Sequence, residues 1–102
     1  HLIAGNCLPH IDVFLENGYT KEEMKMVNET RKILNDDSLK ITATTVRVPV
    51  FDSHSECINL EFGKSFDLQE LKKELASAPG FVVEDDPGNN IYPLARNAAG
   101  RD

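Results

Sequence analysis

The pattern of apolar and polar positions predicts two helices in this chain. Thr20 and Glu23 have the spacing of a capping box, so we predict a first helix over residues 20–35. The polar residues 35–38 form a turn that ends it. Its apolar stripe consists of Met24, Val27, Ile33 and Leu34.

A second helix is predicted to begin after Asp67. Glu70 follows three residues later and repeats the capping-box pattern, and Ala-Pro-Gly at residues 78–80 ends the helix. Leucines recur at helical spacing on one face, which predicts a buried stripe. They are Leu68, Leu71 and Leu75.

Three further segments have the character of strands. Residues 40–50 are rich in β-branched side chains, residues 54–63 alternate between polar and apolar, and residues 81–83 are a short apolar run. The short connection at residues 51–53 makes the first two strands antiparallel neighbours. We therefore predict an α+β fold with a mixed, largely antiparallel sheet covered on one face by helices.

Candidate chemistry lies on the first strand and its turn. Strand alternation places Arg47 opposite an apolar face that is predicted to pack against the helices, formed by Val46, Val48 and Val50. His54 follows after the turn, near the end of the same strand. A guanidinium that can grip a carboxylate then lies beside an imidazole that can transfer a proton. A solvated surface arginine is the alternative interpretation.

A second pair of charged residues lies on the first helix. Glu22 and Lys25 are three residues apart and share one helix face near its N-terminal end. They fit a surface ion pair of small energetic value. They also fit the wall of a polar cleft, and we predict that this cleft contains Arg47 and His54 as well.

Composition limits the class of protein. The chain has 102 residues, 40% of them hydrophobic and 27% charged, as expected of one globular domain. Its net charge of −6 argues against nucleic acid as a partner. No apolar run approaches the roughly 20 residues of a membrane span, and no secretion signal is visible, so a cytoplasmic protein is expected.

The cysteines and histidines do not suggest a metal centre. Three histidines occur without cysteine or carboxylate neighbours at metal-ligand spacing. Cys7 and Cys57 are predicted to be small buried hydrophobic residues, as free cysteines usually are. A disulfide between the two remains an open alternative on the sequence.

Several motifs together resemble one known family. In chain order they are PHID at residues 9–12, KEEMK at 21–25, NETRKIL at 28–34, RVPVFDSHS at 47–55 and IYPLARNAAG at 91–100. Their order and spacing resemble the catalytic, C-terminal domain of the aspartate-semialdehyde dehydrogenases. The resemblance implies an incomplete domain of the glyceraldehyde-3-phosphate dehydrogenase-like C-terminal type.

The resemblance also implies a role for each candidate residue. Arg47 matches the arginine that binds the substrate carboxylate, and His54 matches the general acid/base. Glu22 matches the carboxylate that contacts the substrate amine, and Lys25 matches the lysine that meets phosphate. The implied reaction is the reductive dephosphorylation of aspartyl phosphate to aspartate semialdehyde, a step in lysine, methionine and threonine biosynthesis.

Two features of that family are missing from the sequence. The nucleophilic cysteine lies in a glycine-rich segment that has no counterpart here, and no Gly-x-Gly-x-x-Gly fingerprint is present for NADP. We therefore expect residues 1–102 to be a single substrate-binding and dimerisation domain of an NADP-dependent enzyme. Without a nucleotide-binding domain, it is expected to be inactive alone. The resemblance also implies a homodimer, because the resembling domain forms the family's dimer interface. The alternative is a non-catalytic structural or dimerisation module.

Overall fold

The computed structural model describes residues 1–101 and divides the chain into two compact units, His1–Pro49 and Val50–Asp102. The first unit contains helix α1, Lys21–Leu34. The second contains α2, Leu68–Ser77, a 3₁₀ turn at Pro87–Asn89, and the short helix α3, Ala95–Ala98. The single-domain organisation expected from the sequence stays a prediction.

A tight turn leads the chain into α1. Phe14 and Thr20 form an antiparallel backbone bridge, and Leu15 donates its N–H to the Tyr19 carbonyl at 2.8 Å. Gly18 has φ +85°, a left-handed conformation that glycine adopts without steric cost. Thr20 lies in extended backbone directly before the helix.

Helix α1 confirms the predicted caps at both ends. The Thr20 hydroxyl accepts the Glu23 N–H at 3.2 Å, and the Glu23 carboxylate accepts the Thr20 N–H at 2.8 Å. These reciprocal bonds satisfy two backbone donors that a helix start leaves free. Asn35 ends the helix at φ 51°, where its N–H bonds back to the Lys32 carbonyl.

The small core of the first unit lies at the start of α1. Among residues 1–101, Val27 is the only hydrophobic side chain that is buried, with 4% exposed. Thr20 and Glu23 are buried beside it, with 1% and 9% exposed. The predicted stripe is therefore right at Val27 and wrong at Ile33 and Leu34, which are exposed because nothing packs on the last turn of the helix.

Because Thr20 is both a cap and a buried residue, its substitution has a predictable cost. We expect Thr20→Val to lower the free energy of unfolding by about 1–2 kcal/mol, since it removes the acceptor for the Glu23 N–H. Thr20→Ser keeps that oxygen and serves as the matched control. Denaturant unfolding followed by helical circular dichroism measures both, and equal stability of the two variants would refute the importance of the cap.

Helix α2 begins as predicted but is not buried. The Asp67 carboxylate accepts the Glu70 N–H at 2.9 Å, which is the first half of the predicted capping box. The predicted leucine stripe is wrong: no residue of α2 is buried, and Leu68 is 54% exposed. A helix face becomes buried only against a facing layer, and none covers α2 within the described part of its unit.

The predicted sheet is not confirmed. Within residues 1–101, backbone pairing outside the helices is limited to isolated antiparallel bridges, and residues 40–50, 54–63 and 81–83 form no strand. The expectation that one face of the first segment packs against helices was also wrong, because three valines remain exposed: Val46, Val48 and Val50. A strand depends on neighbours that share its hydrogen bonds and cover its face, and in the described part of the chain these segments have only the single bridge between Arg47 and Leu8.

The prediction of buried cysteines was wrong as well. Cys7 and Cys57 are both exposed and both are free thiols, so the disulfide that the sequence left open is not formed. Each lies on an irregular segment that has no packing layer to cover a small apolar side chain.

Candidate functional site

The structure brings Glu22 and Lys25 together on the first turns of α1. The Lys25 Nζ lies 3.7 Å from the Glu22 Oε1, the arrangement expected of a pair three residues apart on a helix. Both side chains are more than a third exposed. Such a pair adds about 0–1 kcal/mol to stability, so a charged ligand can replace either partner at small cost.

Arg47 is fixed through its backbone and leaves its side chain exposed. Its N–H donates to the Leu8 carbonyl at 2.8 Å, and its carbonyl accepts the Leu8 N–H at 2.9 Å. The residue borders an open cavity of about 450 Å³ in the first unit. The other lining residues are His1, Leu8, Pro9, His10 and Phe14. The exposed guanidinium is therefore accessible to an anion from solvent.

Glu23 connects the helix to the segment that carries Arg47. One carboxylate oxygen accepts the Thr20 N–H at 2.8 Å, and the other accepts the Thr45 N–H at 2.9 Å, across 22 positions of sequence. The sequence predicted the local bond to Thr20. It gave no signal for the bond to Thr45, which is a backbone contact between distant segments.

Two other polar contacts hold the same segment against α1. The Arg31 guanidinium donates to the Leu39 carbonyl at 2.9 and 3.2 Å, and the Tyr19 hydroxyl lies 3.1 Å from the Thr42 hydroxyl. Together with the Glu23 bond, they attach residues 39–45 to the helix without a β-ladder. The position of Arg47 in the first unit thus depends on side chains of α1 and of the turn before it.

Hydrogen bonding makes Glu23 a stronger acid than an ordinary glutamate. The Thr20 N–H is the largest cause of its lowered pKa, and the Thr45 N–H is the second. Both donors favour the charged carboxylate, and burial opposes them only in part. Glu23 is therefore ionised at neutral pH.

The lowered pKa of Glu23 predicts a pH dependence of stability. The Glu23 carboxylate binds a proton more readily in the unfolded chain than in the folded protein. Its contribution to stability is therefore complete above the ordinary glutamate pKa of about 4.3 and is lost as pH falls toward the lower folded value. The Ser38 hydroxyl and N–H lower the pKa of Asp36, so the contribution of Asp36 to stability is likewise lost as pH falls. We expect the stability difference between wild type and Glu23→Gln to shrink from about pH 7 to about pH 3 in denaturant unfolding. A constant difference would contradict the role of the charge.

His54 lies in the other unit, Val50–Asp102, on an exposed irregular segment. Ser53 precedes it with φ +70°, a left-handed conformation that is uncommon for a residue other than glycine. The predicted proximity of His54 to Arg47, Glu22 and Lys25 stays a prediction.

The described residues do not fit a nicotinamide dinucleotide. A dinucleotide pyrophosphate binds free N–H groups at a glycine-rich helix start. Helix α1 instead carries Glu22 and Glu23 in its first turn, and α2 begins at Asp67, whose carboxylate accepts the Glu70 N–H. Carboxylates therefore lie at the helix-start N–H groups that a pyrophosphate would need, so neither helix start is assigned to the dinucleotide.

Residues 1–101 also contain no group of three or more His, Cys, Asp or Glu side chains placed to hold a metal ion. None of the helices in the described residues has the length and apolar character needed to cross a membrane.

Comparison with known proteins identifies relatives over the whole sequence. A family model described as the semialdehyde dehydrogenase dimerisation domain matches residues 1–102. Proteins named aspartate-semialdehyde dehydrogenase are similar to it: one from Aquifex aeolicus is 55% identical over 100% of this chain and 30% of its own length. Those from Helicobacter pylori and Bacillus subtilis are 54% and 43% identical over 98% and 97% of this chain and 29% of their own lengths. The chain spans about 30% of the length of these relatives, and it belongs to the semialdehyde dehydrogenase dimerisation-domain family.

Proposed function

We propose that this chain is the substrate-binding and dimerisation part of an NADP-dependent aspartate-semialdehyde dehydrogenase. The observation that carries the proposal is the similarity over the whole chain to proteins of that name, at 43–55% identity. The proposed reaction converts aspartyl phosphate, NADPH and a proton into aspartate semialdehyde, phosphate and NADP⁺, and the assay below follows it in reverse. The nucleophilic cysteine and the nucleotide site are assigned to protein beyond these residues.

Arg47 is proposed to bind the substrate carboxylate. A guanidinium can donate two parallel hydrogen bonds to a carboxylate, which fixes both its position and its orientation. The exposed side chain beside an open cavity supports this role, since an anion can approach it. The backbone bonds to Leu8 leave the guanidinium free for the ligand.

Glu22 and Lys25 are proposed to receive the substrate amine and the phosphate. Without ligand each neutralises the other at 3.7 Å. When substrate binds, its ammonium group replaces Lys25 as the partner of Glu22, and the phosphate replaces Glu22 as the partner of Lys25. The exchange leaves each of the two residues with an oppositely charged partner and disrupts only a weak, partly exposed pair.

His54 is proposed to act as the general acid/base. An imidazole accepts and donates protons near neutral pH, which suits a reaction that protonates one group and deprotonates another in successive steps. The exposed position of His54 within its unit supports access to a substrate.

The sheet and the homodimer belong to the same proposal. Apolar side chains are exposed at alternate positions of residues 54–63, namely Ile58, Leu60 and Phe62. Alternation of this kind suits a strand that is covered on one face. We propose that residues 40–50 and 54–63 pair as strands in the full-length protein and that a second copy associates with this domain.

A non-catalytic dimerisation module is the second candidate. It is favoured by the absence of a fit to a dinucleotide at the starts of α1 and α2. The two candidates differ in whether residues of this chain contact substrate in the full-length protein.

Steady-state kinetics test the proposal. The full-length natural protein that contains this chain is mixed with aspartate semialdehyde, phosphate and NADP⁺, and formation of NADPH is followed by absorbance. We expect turnover that requires phosphate, and none from the 102-residue chain alone. Lack of turnover by the full-length protein refutes the function. Turnover by the chain alone refutes the assignment of the nucleotide site to other residues.

Glu22→Gln tests the proposed contact with the substrate amine. Removing the charge should raise KM for aspartate semialdehyde by roughly 10- to 150-fold, the value of a hydrogen bond to a charged group. Glu29→Gln is the matched control, because Glu29 is an exposed carboxylate on the same helix. Equal KM values for the two variants would contradict the assignment of Glu22 to the substrate site.

A further inference from the structure

We propose that Glu23 is a positioning residue for Arg47. Its carboxylate bonds to the segment that carries the guanidinium and holds it at the first turn of α1, which carries Glu22 and Lys25. The inference rests on the proposed function, because it assumes that Arg47 binds the substrate carboxylate. It assigns Glu23 a role in substrate geometry beyond that of a helix cap.

The two oxygens of Glu23 have separate partners. Oε2 accepts the Thr20 N–H at 2.8 Å and Oε1 accepts the Thr45 N–H at 2.9 Å. The side chain is 9% exposed, so water has little access to replace either bond. A carboxylate suits this position because both of its oxygens are acceptors. A glutamine offers one oxygen and one NH₂ group, which cannot accept the second N–H.

The bond to Thr45 constrains Arg47 through a short piece of backbone. Arg47 is two residues after Thr45, so their Cα atoms are separated by at most about 7 Å, the reach of two residues of backbone. The Leu8 backbone holds Arg47 itself, at 2.8 and 2.9 Å. Glu23 and Leu8 therefore fix the segment at two points. Loss of the hydrogen bond between Glu23 and Thr45 allows the guanidinium to move relative to the Glu22–Lys25 pair.

The charge on Glu23 is not free to bind substrate. Both oxygens are occupied by backbone donors, whereas Glu22 is more than a third exposed beside Lys25. The adjacent glutamates thus have different tasks: Glu22 faces a ligand and Glu23 faces the backbone. Because of this separation, we expect a substitution at Glu23 to disturb recognition of the substrate carboxylate selectively.

The test compares two aldehydes in the full-length protein. Aspartate semialdehyde carries the carboxylate that Arg47 is proposed to bind, and 3-aminopropanal is the same molecule without that carboxylate. We expect Glu23→Gln to lower kcat/KM for aspartate semialdehyde by roughly 10- to 100-fold, as a misplacement of about 1 Å can do. We expect kcat/KM for 3-aminopropanal to stay within about threefold of wild type, because Arg47 has no partner on that substrate.

A purely structural role for Glu23 would lower kcat/KM for both aldehydes by the same factor, and that result overturns the inference. Glu29→Gln, an exposed carboxylate on α1, is the control expected to change neither value. If Glu23→Gln does not fold, Glu23→Asp keeps the charge on a shorter arm and is measured in the same way, with the same selective loss expected.

Failure of the inference can be distinguished from failure of the proposed function. If the wild-type protein does not convert aspartate semialdehyde, the function is refuted. If it does, and Arg47→Leu discriminates between the two aldehydes while the Glu23 variants do not, only the positioning role is refuted.

Discussion

Replacement of His54 by asparagine in the full-length protein should lower kcat by roughly 100- to 10,000-fold, the range typical of a lost general acid/base. Asparagine preserves approximate size and some hydrogen bonding but cannot take up and release a proton near neutral pH. Because His54 is exposed within its unit, the substitution should leave the fold intact. KM for aspartate semialdehyde should change little, since carboxylate and amine are assigned to other residues. Steady-state kinetics across pH measure both parameters.

The pH profile provides the control for this substitution. His54→Asn should remove the limb of the wild-type profile that reports the acid/base group, whereas Ser55→Ala, at the exposed neighbouring position, should keep the profile. A His54→Asn protein with kcat within threefold of wild type would contradict the catalytic assignment.

Arg47→Leu should raise the activation free energy with aspartate semialdehyde by about 2–5 kcal/mol, the cost of removing one partner from a close charge pair. The value of kcat/KM should therefore fall roughly 30- to 5,000-fold. The backbone bridge to Leu8 uses main-chain atoms and should survive the change. Arg47→Lys keeps the charge but loses the forked geometry, so its loss should be smaller. Measurement of kcat/KM for both variants gives the ranking.

Lys32→Leu is the matched control for the loss of one positive charge. Lys32 is an exposed cation on α1 and is not assigned to the substrate. Its removal should change kcat/KM by no more than about threefold through long-range electrostatics. If Arg47→Leu loses no more than Lys32→Leu, Arg47 does not contact the substrate carboxylate.

The helices could be predicted because their signals are local. Thr20 and Glu23 are three residues apart, and the bonds that they exchange were expected from that spacing alone. For Asp67 and Glu70 the structure contains one of the two expected bonds, from the Glu70 N–H to the Asp67 carboxylate. Burial of a helix face could not be predicted from local spacing, because it depends on which part of the protein packs against the helix. Leu68 has the spacing of a core residue but meets no packing layer in its unit.

The strands show the limit of pattern reasoning more clearly. Residues 40–50 have β-branched composition, yet polar bonds from α1 and the preceding turn hold much of this segment, and its one bridge is at Arg47. Strand formation depends on the availability of partners as well as on side-chain type. The relatives are about three times as long as this chain.

The candidate site was likewise predictable only in part. The spacing of Glu22 and Lys25 on a helix predicted the ion pair that the structure contains. The bond from Glu23 to Thr45 joins segments 22 positions apart, and the residues of a single sequence offer no signal for such a contact. The position of His54 relative to the first unit stays a prediction.

A comparison of three aldehydes tests the central assignment most directly. The values of kcat/KM are measured for aspartate semialdehyde, 3-aminopropanal, which lacks the carboxylate, and 4-oxobutanoate, which lacks the amine. Each substrate is used with wild type, Arg47→Leu and Glu22→Gln. We predict that Arg47→Leu is impaired only with the two substrates that carry a carboxylate, and Glu22→Gln only with the two that carry an amine. Equal losses with all three aldehydes would contradict a site in which these residues recognise separate groups of one amino acid.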